Sequence, residues 1–145
     1  MKKRLFCLIC ALVIMIGLPA DGFAAEVEAR ASDYISSTGV RAYAVGFGKV
    51  LIEVDVDATR MMDEVGASEI FIYKQNSSGT YDLVYTYVKD VYPQMIVENS
   101  FFGNVDVTYR GAVGGRYFAY VGCYAKDSNG SETLFFQTNS VLAVA

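Results

Sequence analysis

This 145-residue chain contains no histidine, so the side chains that remain as candidates for a functional site are the acidic and the aromatic ones. Without histidine, the chain lacks the ordinary base of serine and cysteine hydrolases and the commonest zinc ligand. It also lacks a spaced, oxygen-rich loop of the EF-hand kind, although Asp55, Asp57 or Asp63 would be the ligands of a weak calcium site. We therefore predict no metal and no cofactor.

Three carboxylates occupy alternate positions of the segment "KVLIEVDVDA", namely Glu53, Asp55 and Asp57. Two facing carboxylates can cleave a glycosidic bond if one pKa is raised above the other. Alternate residues of an exposed strand point together into water, where nothing separates their pKa values. We therefore interpret the three as a solvated acidic face and predict a protein that is not an enzyme. A small carboxylate-dependent hydrolase of wall polymer or glycan is the alternative.

Aromatic residues are the stronger candidates. In "GGRYFAYVGCYAKDSNGSE", Gly114 to Glu132, aromatic and small residues alternate. If Tyr117 and the small residues face the core, the intervening aromatic rings must face outward. With the outward rings of two neighbouring strands, the predicted binding strip consists of Phe71, Tyr73, Phe118, Tyr120, Tyr124 and Phe135. Such a strip can stack on sugar rings or hold a peptide, or its rings are only cross-strand pairs of a well-formed sheet.

The elements that position these residues must be short strands, because the apolar period is two from Val40 onward. The predicted inward residues are Val50, Ile52, Val54, Val56, Ile70, Ile72, Val105, Val107, Tyr109, Tyr117, Ala119, Val121, Cys123 and Ala125. Turn signals at "NSSG", "GAVGG" and "DSNGS" separate the strands. The first closes a hairpin from Ser68 to Val88, and the last closes a second hairpin whose return strand is "ETLFFQTNSV". About seven such strands predict a single antiparallel β-sandwich, with a small barrel as the alternative.

One segment breaks the alternation, "RMMDEVGAS" from Arg60 to Ser68. We interpret it as a crossing loop between strands, in which Met61 or Met62 and Val65 cover the end of the core. The same interpretation allows a helical turn at this point.

The first residues have the three-part layout of a secretory signal, with a basic start, an apolar run from Leu5 to Leu18 and small residues after it. We predict a signal peptide over residues 1–24, a flexible leader over 25–32 and the β-sandwich domain over 33–145. The predicted location is secreted and extracellular. Cleavage removes three basic residues and Asp21 from the 12 basic and 16 acidic residues, which leaves a formal charge of −6.

This acidic charge and the absence of a basic run predict no nucleic-acid partner, and no membrane partner after signal cleavage. The expected partner is an extracellular protein or surface polymer, and a homodimer through the aromatic sheet is a further alternative. Cys7 and Cys10 leave with the signal, so Cys123 remains alone. Its inward position predicts a buried thiol, the alternative being a disulfide between two chains.

The segment from Gly114 to Ser131 resembles fibronectin type III and immunoglobulin-like domains, in which a glycine turn precedes a tyrosine, alternating small residues and an Asn-Gly-Ser turn. The resemblance implies that Tyr117 is the corner tyrosine, with a buried ring and a hydroxyl group bonded to nearby backbone. The chain departs from the pattern because it has no tryptophan.

The mature chain also resembles a family of small secreted proteins of Gram-positive, clostridium-like bacteria. The segments that carry this resemblance are "ASDYISS", "MMDEVGASEIFIYK", "YPQM" and "VTYRGAVGGRYFAYVGCYAKDSNGSET", with a late "TNSV". The resemblance implies the fold and export, and it brings no activity with it.

Overall fold

The computed structural model describes residues 32–145, so the predicted signal peptide and all of the predicted leader except Ser32 lie outside the described residues. The strands are β1 Ile35–Ala44, β2 Lys49–Gln75, β3 Tyr81–Val88, β4 Ile96–Arg110, β5 Arg116–Asp127, β6 Gly130–Gln137 and β7 Val141–Leu142. One 3-10 turn, Pro93–Met95, precedes β4. In this part of the chain, no helix is long and apolar enough to cross a membrane.

The seven strands form one antiparallel sheet that curls into a half-barrel around a single core. The long strand β2 organises it. The first half of β2 lies between β1 and β4, and its second half lies between β5 and β3. Strand β5 also pairs with β6 and β7. The prediction of an all-β, antiparallel protein of about seven strands is therefore confirmed.

The core contains the residues that the two-residue period places inward. All of them are buried except Tyr109, which is partly buried against the core. The alternation of apolar and polar residues therefore fixes which face of each strand is covered. Burial of these branched and aromatic side chains is the main stabilising contribution to a sheet of this kind.

The segment from Arg60 to Ser68 is strand and not the predicted crossing loop. Hydrogen bonding on both sides explains the difference, because Glu64 is paired with Glu98 of β4 and with Lys126 of β5. An irregularity in the register between Asp57 and Met62 absorbs the break in the alternation. Met62 and Val65 are buried as expected, whereas Met61 is 57% exposed.

Both predicted hairpins are confirmed, since Gln75 pairs with Tyr81 and Asp127 pairs with Gly130. The Asn139 side chain connects the segment after β6 to β1. The Asn139 amide accepts a hydrogen bond from the Ala42 N–H and donates one to the Ala42 carbonyl, each at 2.9 Å. The chain after β6 is thereby fixed to β1.

Candidate functional site

The outward rings of four adjacent strands, in the order β3, β2, β5 and β6, lie side by side on one face of the sheet. Cross-strand register pairs Phe71 with Tyr120 and Tyr73 with Phe118. Their chain neighbours Ile70, Ile72 and Ala119 are buried, so these rings lie on the outer face. We call this surface the aromatic strip; it consists of Phe71, Tyr73, Tyr81, Phe118, Tyr120 and Phe135. The structure thus brings together five of the six predicted site residues and adds Tyr81.

The end of the strip near the first hairpin turn is a packed cluster of three rings. Tyr73 and Phe118 stack with centroids 5.0 Å apart and planes at 10°. Tyr81 contacts Phe118 edge-on at 4.8 Å. Sequence analysis missed Tyr81, although its position at the start of the partner strand, opposite Gln75, places it on the outer face. Each of these rings covers much of the surface of its neighbour, as in other cross-strand pairs.

The other end of the strip is more accessible. Tyr120 and Phe135 stack at 5.6 Å with planes at 12°, and they are 40% and 42% exposed. Phe71 lies 6.5 Å from Phe135. Gly122 makes this arrangement possible, because a Cβ at this position would lie 3.0 Å from the Phe135 ring. A partner that approaches the strip therefore meets Tyr120 and Phe135 first.

Tyr124 was predicted to be an exposed site residue. This prediction is wrong, because Tyr124 is buried and only 8% exposed. It points outward from β5, but the Lys89 ammonium group lies 4.8 Å from its ring centroid. Lys89 is held there by Glu64, at 2.9 Å, and Lys126 also contacts Glu64, at 3.3 Å. The hydrogen bond from Lys89 lowers the pKa of Glu64, and the same bond raises the pKa of Lys89.

An open groove of about 500 Å³ adjoins the strip at Phe135. Glu69, Lys89, Asp90 and Thr133 contribute to its walls. Because Lys89 is engaged by Glu64, two carboxylates of this groove, Glu69 and Asp90, have no ion-pair partner among residues 32–145. Sequence analysis missed the groove, since its charged residues come from a strand and a turn that no periodic pattern connects.

The three carboxylates singled out in the sequence, Glu53, Asp55 and Asp57, do not converge on a cleft. Each is hydrogen bonded across the outer face of the first half of β2: Tyr43 donates to Glu53, Asn104 to Asp55 and Ser37 to Asp57. Such bonds are those of a solvated sheet face. No three acidic or cysteine side chains within residues 32–145 are placed to hold a metal ion together.

Cys123 is buried in the core, as predicted. Burial raises the pKa of its thiol to about 12. The group therefore stays protonated at neutral pH and acts as a small apolar side chain.

Four tyrosines pack where β3 faces β4; sequence analysis placed Tyr109 inward but missed Tyr85, Tyr87 and Tyr92. Tyr87 contacts Tyr85 at 4.7 Å and Tyr92 at 4.9 Å, and Tyr85 lies 6.0 Å from Tyr109. Burial raises the pKa of Tyr87 to about 12. The alternation in "YTY" was the available signal, since Tyr85 and Tyr87 pair with the inward residues of β2. The cluster covers one flank of the core.

No family model and no curated protein matches the chain. Among solved structures, the chain is similar to the solution structure of a candidate late embryogenesis abundant (LEA) protein, at 15% sequence identity and a TM-score of 0.48. That match covers 99% of this chain and 87% of the other.

Proposed function

We propose that the protein is a secreted, non-enzymatic β-sandwich module that binds an extracellular partner, either a protein or a surface polymer, through the aromatic strip. One observation carries the proposal: Tyr120 and Phe135 form a stacked, part-exposed pair on a sheet whose opposite face is the core. Exposed aromatic rings on a rigid surface are typical of interaction sites. Aromatic side chains also lose little conformational entropy on binding.

Within this proposal, the sandwich is of the fibronectin type III or immunoglobulin-like class. The grouping of strands supports this, with β1, β4 and the first half of β2 on one side and β3, β5, β6 and the second half of β2 on the other. Tyr117 supports it as well. Its ring is buried and its hydroxyl oxygen accepts a hydrogen bond from the Ala112 N–H at 2.8 Å, as in a tyrosine corner. The continuous strand β2 is a departure from this class.

Export belongs to the same proposal, and its support is the basic and apolar layout of the first 24 residues and the resemblance to secreted proteins. Intact-mass analysis of protein purified from the medium of a host that expresses the full chain tests it. A chain that begins at Ala25 is the expected product. A chain that stays in the cell with Met1 or Lys2 at its start would contradict export.

The binding proposal is tested by retention on the immobilised protein. Cell-wall material and culture proteins are passed over the wild type and over Tyr120→Ser and Phe135→Ser, and the retained material is identified by mass spectrometry. The matched control is Phe102→Ser, since Phe102 is 65% exposed and lies on β4, outside the strip. We expect a partner that the wild type and the control retain and that both strip variants lose. Equal retention by all four proteins would contradict the proposal.

The same samples distinguish the two alternatives. Release of soluble sugars from wall material, abolished by Asp55→Asn, would indicate a hydrolase. A dimer in sedimentation that Phe135→Ser dissociates would indicate self-assembly.

A further inference from the structure

A second exposed surface, which is not part of the aromatic strip, lies at the end of the sheet where β1 meets β2 and β4 meets β5. We call it the tip. Its apolar side chains come from three separate segments and are between 45% and 77% exposed; they are Val45, Phe47, Val113, Leu142 and Val144. Large exposed apolar groups gathered at one place mark interaction surfaces.

The tip is a preorganised structure, because backbone hydrogen bonds tie its segments together. The Gly48 N–H donates to the Val144 carbonyl at 2.8 Å, and the Gly111 N–H donates to the Gly48 carbonyl at 2.9 Å. The Gly114 N–H donates to the Ala143 carbonyl at 2.7 Å. A Cβ at Gly48 would lie 2.6 Å from the Gly111 carbonyl oxygen, so this close approach requires glycine.

Phe47 lies in the turn between β1 and β2 and has an unfavourable backbone conformation. Its φ is +53°, in the left-handed region where asparagine and glycine are common and bulky residues are rare. Its side chain is 77% exposed and therefore gains little from packing. Folding does not account for a phenylalanine at this position, since it adds strain without burial. A contact outside the molecule does account for it.

The charge of the tip is opposite to that of the rest of the protein. Half of the basic side chains among residues 32–145 lie here, namely Lys49, Lys74, Arg110 and Arg116. Among the described residues that pair with these four or lie next to them in the sheet, one is acidic: Asp82, the cross-strand partner of Lys74. None of the four basic residues forms an ion pair within residues 32–145.

Two of the basic residues even oppose each other, since Lys49 and Arg110 are cross-strand partners. Like charges in this relation destabilise a sheet. The other two, Lys74 and Arg116, line an open groove of about 460 Å³ with Val113 and Leu142. The groove thus offers two cations and apolar side chains together. That combination fits an anionic headgroup and the first carbons of its acyl chains.

We propose that the tip docks on the surface of a membrane that contains anionic phospholipid, with Phe47 inserted at the level of the headgroups and the four basic residues against the lipid phosphates. Sequence analysis predicted no membrane partner because no basic run occurs along the chain. The fold assembles the cations from separate strand ends. The exposed apolar side chains of the tip favour a bilayer as the partner. A soluble polyanion would be repelled by the acidic remainder of the protein surface.

Vesicle co-sedimentation tests the proposal with the full chain purified from its expression host. The probes are vesicles of equal parts phosphatidylglycerol and phosphatidylcholine, vesicles of phosphatidylcholine alone, and soluble polyphosphate as the competitor. We expect binding to the anionic vesicles only, weakened by added salt. Arg110→Gln and Arg116→Gln should each lower the affinity about fivefold, at about 1 kcal/mol per basic residue. Arg41→Gln, an exposed arginine of β1, is the control and should leave the affinity unchanged.

Insertion has a separate readout, because the chain contains no tryptophan. In Phe47→Trp, the lone indole should shift its emission to the blue and be quenched by brominated lipid when anionic vesicles are added. In the control Phe102→Trp, emission should stay constant. Phe47→Asn should lower the affinity for anionic vesicles about tenfold, whereas Phe102→Asn should not.

Three results would overturn the proposal. They are absence of binding to anionic vesicles, equal binding to both kinds of vesicle, and binding that Phe47→Asn leaves unchanged. If polyphosphate binds as tightly as the vesicles and independently of Phe47, the tip is a polyanion site instead. None of these outcomes bears on the aromatic strip, since Tyr120 and Phe135 are not part of the tip.

Discussion

The ring of Phe135 lies over Gly122, the residue of β5 that pairs directly with it, and a methyl group on Gly122 would come 3.0 Å from the Phe135 Cε1 atom. Because Gly122 has no side chain, its outward position leaves room for the Phe135 ring. This relationship orients Phe135 toward Tyr120, and the accessible end of the strip depends on it.

Gly122→Ala should displace Phe135, together with Ser68, whose Oγ would lie 2.8 Å from the new Cβ. We expect reduced partner retention and a free energy of unfolding that falls by about 1 kcal/mol. Gly39→Ala is the matched control, since a Cβ there would make only an ordinary contact with Asp55 at 3.6 Å. Urea unfolding and retention on the immobilised protein are the two measurements. Undiminished retention by Gly122→Ala would show that the orientation of Phe135 does not matter.

Tyr117→Phe removes the hydroxyl group that accepts a hydrogen bond from the Ala112 N–H. We expect the free energy of unfolding to fall by about 1 to 2 kcal/mol, because the ring stays buried and the N–H loses its partner. Tyr43→Phe is the control, since the Tyr43 hydroxyl bonds Glu53 at the surface at 3.3 Å. Urea titrations of both variants measure the difference, and equal stabilities would contradict the role of Tyr117 as a structural corner.

The lowered pKa of Glu64 predicts a pH dependence of stability. Because the hydrogen bond from Lys89 holds this pKa below its ordinary 4.5, the stabilisation is present above pH 4.5 and is lost as the pH falls through the folded-state value. Glu64→Gln should therefore be less stable than the wild type by about 0.5 to 1 kcal/mol at pH 7, with the two converging in acid. Urea midpoints measured from pH 7 downward test this.

Asp63→Asn is the matched control for that series, since Asp63 is exposed, is not a cross-strand partner of Glu64 and forms no ion pair within residues 32–145. It should follow the wild type across the same range. A gap between Glu64→Gln and the wild type that persists unchanged in acid would mean that Glu64 stabilises the fold by packing and not by charge.

Phe47→Gly should raise the free energy of unfolding by about 1 kcal/mol, because glycine adopts φ = +53° without strain and the lost side chain is mostly exposed. Thermal and urea unfolding measure this change. The same variant should lose vesicle binding, so that stability and binding change in opposite directions. A drop in stability would show that Phe47 packs within the fold and would remove one reason to assign it to an external contact.

Much of the fold follows from the sequence because burial on one face imposes a two-residue period. That period places Val121 and Cys123 inward and Tyr120 outward, as the structure has them. It could not identify the strand through Arg60 to Ser68, because an irregular register shifts the alternation and only pairing with β4 and β5 shows the segment to be extended.

The candidate sites were only partly predictable for a related reason. Alternation tells which side of a strand a ring occupies, and this placed Phe135 and Tyr120 on one face. It cannot tell what covers a ring, so the burial of Tyr124 under Lys89 was missed. The tip could not be predicted from the sequence, because Phe47 and its basic neighbours come from separate segments that lie together only in the folded sheet.

Binding through the aromatic strip is tested at the level of single rings by an NMR titration of the aromatic signals with the partner retained on the immobilised wild type. We expect the signals of Tyr120, Phe135 and Phe71 to shift or broaden, while those of Phe101 and Phe102 on β4 stay constant. Shifts confined to the β4 rings, or the same small shifts in all rings, would contradict binding through the aromatic strip.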